Sequence, residues 1–198
     1  MKNQPRPYCQ AARAEAAVAT TYAVKAAALQ LLMQRWYDDI SLDDIAREAG
    51  VSSKTVQRQF GSKENLARTV LLEYGVENSA WRDHIEAGNL EVAIVAIVGM
   101  YEAIGDSLMR FLALEHKLPL AAEVISMGRK IHKRWVERVF GPLLGVLPRR
   151  QSIALLVVAT DVYVWKLLRR DAGLSQSLTV KSMRSLALLA INEVKEQP

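Results

Sequence analysis

The side chains with the clearest chemistry lie in one short segment, residues 40–66, which reads ISLDDIAREAGVSSKTVQRQFGSKENL. Val56 and Phe60 are four residues apart, so they share one face of a helix that they anchor to a small core. The opposite face projects two cations and two hydrogen-bonding side chains: Lys54, Thr55, Gln57 and Arg58. Recognition of DNA in the major groove requires long hydrogen-bond donors on a rigid helix, so that they reach base edges and phosphates. This segment therefore predicts double-stranded DNA as a partner.

The elements that position this helix are also visible in the segment. Ser41 is a good N-cap for a first short helix, and Asp44 three residues later completes a capping-box pattern. Gly50 stands where that helix must end with a positive φ, which glycine adopts without steric cost. Ser52 then caps the second helix, and Ser62 caps a third one. The spacing thus predicts a helix-turn-helix.

The third helix begins at Lys63, whose charge and helix amino end both suit a phosphate. The predicted contacts to DNA are therefore nine: Ser41, Ser52, Ser53, Lys54, Thr55, Gln57, Arg58, Gln59 and Lys63. The alternative is a pair of solvated surface helices in an ordinary helical protein. The turn-defining spacing of Ala46, Gly50, Val51 and Phe60 favours DNA binding.

The same segment resembles the tetracycline-repressor-like (TetR/AcrR) family. The resemblance rests on DDIAREAGVS at residues 43–52, then Thr55, Phe60 and the Ser62-Lys63-Glu64 triplet. It implies a DNA-binding transcriptional regulator whose remaining helices dimerise and bind an inducer. Two departures stand out: Trp36 replaces the family's usual glycine, and Gln57 and Gln59 replace an aromatic residue and a histidine.

Hydrophobic periodicity predicts an all-α chain. Strand signals are nearly absent, whereas apolar residues recur at helical spacing, as in Val24, Ala27, Ala28 and Leu31. Helices are expected over about 11–35, 42–49, 53–60, 63–87, 90–116, 119–140, 149–171 and 178–196. Short helices precede residue 62 and long ones follow, so residues 1–62 are predicted as the DNA-binding domain and 63–198 as a helical-bundle domain for ligand binding and dimerisation.

The last two predicted helices carry the apolar seams expected of a homodimer. In the final helix Val180, Met183, Ala187, Ala190 and Val194 repeat at intervals of three and four. The predicted interface comprises Val157, Val164, Ala187 and Ala190, and a two-fold dimer would match a palindromic operator. The alternative is that these seams only complete the core of one chain.

An effector site is expected around the helix from Leu90. The predicted lining residues are Trp81, Tyr101, Glu102, Asp106, Met109 and Trp135. Carboxylates beside aromatic rings suit an apolar, cationic small molecule. The alternative is a surface ladder of ion pairs between Glu102, Asp106 and Arg110.

Other function classes find little support. The three histidines are far apart, and no phosphate loop, G-x-S-x-G or G-x-G-x-x-G motif occurs, so no enzyme, metal or cofactor is predicted. The net charge of +5 permits an anionic partner, and the apolar runs 92–101 and 153–160 are too short for a membrane span. A single cysteine, Cys9, and no signal peptide indicate the cytoplasm. Two alternatives stay open, a regulator without a ligand and a helical interaction module with a vestigial helix-turn-helix.

Overall fold

The structure, a computed structural model, describes the backbone of residues 7–144 and 149–192, and the side chains of these residues from 13 onward except Arg149. Every regular element within those ranges is helical, so the predicted all-α class is confirmed. The chain divides into two compact units, Met1–Tyr74 and Gly75–Pro198. The division falls inside the fourth helix, whereas the expectation placed it just before that helix begins.

The first unit contains three complete helices and most of a fourth. Their bounds are α1 Pro7–Gln34, α2 Leu42–Glu48, α3 Ser53–Phe60 and α4 Lys63–Glu77, with a 3-10 turn at Tyr37–Asp39. The predicted stripe on α1 is buried, with Val24 and Ala28 completely inaccessible to solvent. Helix α2 packs against both α1 and α3, so the small core holds the two short helices in place.

The second unit is built around α5. Its helices are α5 Leu90–Ala113, α6 Pro119–Phe140, α7 Arg149–Ala159, α8 Val162–Lys166 and α9 Gln176–Asn192, with 3-10 turns at Ala80–His84 and Gly141–Leu143. Helix α5 contacts α6, α8 and α9, and α7 contacts α6 and α9. Ile94, Ile97 and Val98 on α5 are fully buried, as their helical spacing predicts.

Three of the predicted helix bounds that differ from the structure have a clear local reason. Helix α4 ends at Glu77, and a 3-10 turn at Ala80–His84 follows instead of a continuous helix to residue 87. The helix expected over 149–171 breaks at Asp161, whose carboxylate accepts a hydrogen bond of 2.9 Å from the Tyr163 backbone and so caps α8. After α8, Leu167–Asp171 form a π-helical turn. The last helix begins at Gln176, because Ser175 caps it by accepting from the Leu178 backbone at 3.3 Å.

Three helical stretches are long and apolar enough to cross a bilayer when only length and composition are considered. They are Arg13–Gln34, Leu90–Ala113 and Arg150–Asp171. These stretches are longer than the uninterrupted apolar runs 92–101 and 153–160. The difference arises because a whole helix was counted here even where it includes one or two charged residues. In α5 the largest apolar side chains face the protein core, which accounts for the apolar composition.

Candidate nucleic-acid interface and effector region

Helix α2 is fixed at its start by the predicted capping box. The Ser41 hydroxyl accepts from the Asp44 backbone at 3.1 Å, and the Asp44 carboxylate accepts from the Ser41 backbone at 2.9 Å. The Ser41 hydroxyl also donates to that carboxylate at 2.6 Å. These bonds lower the pKa of Asp44 to about 2. The Ser41 hydroxyl therefore positions α2, and its contact with DNA stays a prediction.

The turn between α2 and α3 has the geometry that the sequence predicts. Gly50 has a φ of 66°, and the Val51 backbone donates to the Ala46 carbonyl at 2.9 Å, which closes the end of α2. Ser52 caps α3, since its hydroxyl accepts from the Thr55 backbone at 3.2 Å. The hydroxyls of Ser52 and Thr55 also bond to each other at 2.9 Å. Ser52 and Thr55 are therefore occupied in orienting α3.

Three polar side chains project from α3 into solvent. Lys54, Gln57 and Arg58 are exposed, and none of them makes a hydrogen bond or ion pair to any residue that the structure describes. On the opposite face Val56 is completely buried. A helix anchored in this way presents long donors whose hydrogen-bonding capacity is unused, as direct contact with base edges demands.

The two other predicted contacts on α3 are less free. The Ser53 hydroxyl donates to the Asp43 carboxylate, which ties α3 to α2. Gln59 is half-buried, and its side-chain oxygen is buried without a hydrogen-bond partner in the described part of the chain. Both residues stay predicted contacts to DNA, although each side chain is partly buried within the fold.

Lys63 has a structural role that the sequence did not reveal. Its ammonium donates to the carbonyls of Tyr37 at 2.9 Å and Ile40 at 2.8 Å, and it lies 4.0 Å from the centre of the Tyr37 ring. The start of α4 is thereby fastened to the connection between α1 and α2. The expected phosphate contact is corrected, since the three donors of this ammonium are directed at protein groups.

Replacing Lys63 with Met should lower the free energy of unfolding of the first unit by about 1.5–3 kcal/mol, the usual worth of hydrogen bonds made by a charged group. Methionine keeps an apolar chain over Tyr37 but leaves two carbonyls without a donor. Urea unfolding measures the loss. Lys54→Met is the matched control and should leave stability unchanged, because Lys54 is exposed and unpaired. If Lys63→Met kept its stability but bound DNA more weakly, Lys63 would contact a phosphate after all.

Comparisons with known proteins agree with this geometry. The profile described as "Bacterial regulatory proteins, tetR family" matches residues 25–70. The HTH-type transcriptional regulator AlkX of Mycobacterium tuberculosis (strain ATCC 25618 / H37Rv) is 30% identical over 159 residues, which cover 80% of this chain and 68% of AlkX. The chain belongs to the tetR family.

Solved structures carry the same fold over most of the tetR-family chain. A transcriptional regulator from Rhodococcus sp. Rha1 is similar with a TM-score of 0.71 and 18% identity, covering 90% of this chain and 99% of that one. A TetR transcription regulator from Haloarcula marismortui ATCC 43049 has a TM-score of 0.65 and 13% identity, with coverages of 88% and 97%. The protein is thus a DNA-binding transcriptional regulator and not an enzyme.

The aromatic residues predicted for an effector lie together in the second unit of this tetR-family protein. The rings of Trp81 and Trp135 meet edge to face with centroids 5.8 Å apart. Tyr101 is buried and its hydroxyl donates to the Thr160 carbonyl at 3.0 Å. Met109 is partly buried against the same core. These four predicted residues therefore belong to one hydrophobic cluster.

The two predicted carboxylates have other partners. Glu102 accepts from the Trp165 indole at 2.8 Å and from both Nε and Nη2 of Arg169, at 2.7 and 2.9 Å. Asp106 pairs with Arg170 through two bonds of 2.9 Å. The arginine hydrogen bonds hold the pKa of both carboxyls below its usual range. The expectation that a carboxylate awaits a cationic ligand is corrected, because arginines from the π-helical turn occupy both.

The predicted dimer seam faces the core of its own unit. Ala187 is fully buried and Ala190 is 6% exposed, so neither side chain has surface left for a partner, while Val157 and Val164 are partly buried against the same core. The exposed apolar side chains of this region lie elsewhere on the last helices: Val158, Tyr163, Leu167, Leu178, Leu186 and Leu189. The prediction for Ala187 and Ala190 is corrected, because these residues complete the core of one chain, as the alternative stated.

Residues that sequence reasoning missed lie beside the aromatic cluster. Arg82 stacks on Trp81, with its guanidinium carbon 4.6 Å from the centre of the indole, and the ring centroids of His132 and Trp135 are 5.7 Å apart. For Arg82 the sequence contained a signal, because it directly follows Trp81, which was predicted to line the effector site. His132 gave no signal, because a single histidine on the apolar stripe of a helix resembles an ordinary core residue.

Proposed function

We propose that the protein is a ligand-responsive repressor that binds a palindromic operator as a homodimer. The observation that carries the proposal is the trio of unpartnered side chains on α3, Lys54, Gln57 and Arg58. Arginine pairs with guanine through two parallel hydrogen bonds, and glutamine does the same with adenine. Lysine suits a phosphate as a point charge. The predicted contacts Ser41, Ser52, Ser53, Thr55 and Lys63 support the helices that present this trio.

The exposed apolar side chains at the carboxyl end favour the homodimer. Leu186 is 41% exposed and Leu189 is 64% exposed on α9, while Val158 is 59% exposed on the neighbouring α7. Large apolar side chains exposed on two helices that contact each other favour a protein interface. A second copy of the chain is the proposed occupant, because a two-fold dimer places two copies of α3 on the two halves of a palindrome.

Replacing Leu189 with Glu should convert the dimer to monomers at micromolar concentration, because a charge at an apolar interface must be desolvated without a partner. Operator affinity should fall with it, since each monomer then binds half a site. Sedimentation velocity measures the assembly. Val95→Glu is the control, because Val95 is also exposed, at 57%, but lies on α5. A Leu189→Glu protein that still sediments as a dimer would place the interface elsewhere.

Selection of bound duplexes from random DNA tests the proposal as a whole. We expect a palindrome whose half-sites are centred about one helical turn, roughly 10 base pairs, or a multiple of it apart. Binding should weaken steeply with salt because phosphate contacts release counterions. A helical interaction module with a vestigial helix-turn-helix would select no sequence at all. Non-palindromic selected sites would contradict the dimer but not DNA binding.

Release from the operator by a small molecule is the remaining part of the proposal. The aromatic cluster of the second unit, with Trp81, Tyr101, Met109 and Trp135, is the proposed effector region. A compound that binds there can change operator binding only if its affinity differs between the DNA-bound and DNA-free states of the dimer. A regulator without a ligand would keep the same operator affinity whatever compound is added. The proposed compartment is the cytoplasm, where the operator DNA lies.

A further inference from the structure

The effector region contains buried N–H groups that lack an acceptor. The indole nitrogens of Trp81 and Trp135 and the Nε atom of Arg82 are inaccessible to solvent and make no hydrogen bond within the part of the chain that the structure describes. A buried donor without an acceptor is unfavourable, so such groups are rare in folded proteins. Three of them in one cluster point to an acceptor that comes from outside the protein.

The three groups belong to one continuous set of stacked side chains. The guanidinium of Arg82 lies over the Trp81 ring, which meets the edge of Trp135. Trp135 in turn contacts Phe140 edge to face, with ring centroids 5.6 Å apart. Tyr101 and Trp135 are both nearly inaccessible in the same hydrophobic core. The site thus combines hydrogen-bond donors with a large apolar surface.

The charge of this site is positive. Burial lowers the pKa of Arg82, yet a guanidinium stays protonated, and no carboxylate among the described residues forms an ion pair with it. On α5, Glu102 and Asp106 are already paired with Arg169 and Arg170. Asp161 lies close enough to act, together with burial, in raising the pKa of Tyr101, but it forms no ion pair with Arg82 among the described residues. A half-buried cation whose Nε is inaccessible and which has no counter-ion favours an anionic ligand.

His132 adds no competing positive charge. Its Nε2 lies 3.0 Å from the Thr160 hydroxyl, which also lies 2.7 Å from the Leu156 carbonyl. When this hydroxyl donates to the carbonyl, Nε2 donates to the hydroxyl and Nδ1 is a buried acceptor without a partner among the described residues. Burial and the nearby Arg82 lower the pKa of His132 to about 4, so the imidazole is neutral at pH 7. The cation of the cluster is therefore Arg82.

We infer that the effector is an apolar carboxylate, whose anionic head accepts hydrogen bonds from Arg82 and the two indoles while its hydrocarbon body packs on the aromatic rings. This inference rests on the proposed response to a ligand and gives that ligand a chemical class. It replaces the cationic ligand that the sequence led us to expect. Arginine and indole N–H groups are the donors that proteins use for a carboxylate in an apolar pocket.

Isothermal titration calorimetry of the whole protein tests the chemical class with three pairs of probes. The carboxylates are benzoate, 1-naphthoate and octanoate, and their partners are benzylamine, 1-naphthylmethylamine and octylamine. We expect saturable binding of at least one carboxylate with one molecule per chain, and at least tenfold weaker binding of the amine with the same body. Equal binding of a pair, or no binding of any carboxylate, would overturn the inference.

Matched variants locate the site. Arg82→Gln should weaken binding of the best carboxylate at least tenfold, whereas Arg134→Gln on α6 should leave it unchanged, because Arg134 is exposed and outside the cluster. Trp135→Phe removes one N–H and keeps a ring, so it tests the site if Arg82→Gln does not fold. Carboxylate affinity that is unchanged in both Arg82→Gln and Trp135→Phe would place the carboxylate elsewhere.

Operator release measured with the same probes separates this inference from the proposed function. If a carboxylate binds through Arg82 but leaves the operator complex intact, the site stands and the proposed release by a ligand fails. If an amine releases the operator and the carboxylates do not bind, the protein responds to a ligand and the inferred class is wrong. Release by a carboxylate in the wild type, lost in Arg82→Gln and kept in Arg134→Gln, supports both.

Discussion

Replacing Arg58 with Ala lowers the affinity for the selected operator far more than the affinity for random DNA. A bidentate contact between arginine and guanine contributes about 1–3 kcal/mol to discrimination, and a dimer makes two of them. The expected loss is therefore about 2–6 kcal/mol, roughly thirtyfold to more than ten-thousandfold. Arg58 is exposed and unpaired in the described structure, so the substitution removes a contact to DNA and disturbs none within the protein.

Fluorescence anisotropy with operator and scrambled duplexes at one salt concentration measures both affinities. Arg47→Ala is the control on the neighbouring helix α2, where Arg47 is also exposed and forms a surface ion pair with Asp44. Any loss in Arg47→Ala should be small and equal for both duplexes, because a phosphate contact carries no sequence information. If Arg58→Ala lowered the affinity for both duplexes equally, Arg58 would contact the DNA phosphates and not a base.

The helix-turn-helix was predictable because its determinants are local in the chain. Ser41 and Asp44 are three residues apart, and Gly50 ends α2 through its own backbone conformation, a φ of 66°. Caps and turns depend on neighbours within four residues, so the sequence displays them directly. The break at Asp161 follows the same logic, since an aspartate cap was visible there, but the apolar residues around it masked the signal.

Contacts between distant segments were not predictable in this way. Lys63 has the spacing of a phosphate ligand, and only the fold reveals that the carbonyls of Tyr37 and Ile40 occupy it. Glu102 and Arg169 are likewise brought together by the packing of α5 against the segment that follows α8. A helical pattern states which residues share a face, but it does not state what that face meets.

Helix α9 illustrates the same limit for the dimer. Its sequence carries apolar residues on two adjacent stripes, one through Met183 and Ala187 and another through Leu186 and Leu189. The first stripe repeats at intervals of three and four, so it was predicted as an interface between chains. In the fold this stripe packs against α5 and α7, and the bulkier second stripe remains exposed.

Adding one methyl group at Gly105 should strongly destabilise the second unit. A Cβ atom there would lie 2.5 Å from Cη2 and 2.9 Å from Cε3 of Trp165, both far inside normal contact distance. The indole cannot retreat, because it is fully buried and its N–H donates to Glu102 at 2.8 Å. Arg170 also stacks on the ring at 4.6 Å. Overpacking of this kind costs about 3 kcal/mol, at the upper end of the usual range.

Gly99→Ala is the matched control for Gly105→Ala, because both add one methyl group to α5. No atom lies within 4 Å of a Cβ at Gly99, so this variant should gain about 0.5–1 kcal/mol from the higher helix propensity of alanine. The two variants should therefore differ by about 4 kcal/mol in urea unfolding, or roughly 10 °C in Tm for a chain of this size. Equal stabilities would mean that α5 and the Trp165 ring are further apart than the structure places them.

A double substitution identifies the cause of the loss. Trp165→Leu removes the ring atoms that meet the new methyl group, so Gly105→Ala should cost much less in that background than in the wild type. The two changes then couple by more than 1 kcal/mol, as expected for residues in direct contact. Additive losses would instead point to altered helix geometry at Gly105, because a backbone effect does not depend on the residue at position 165.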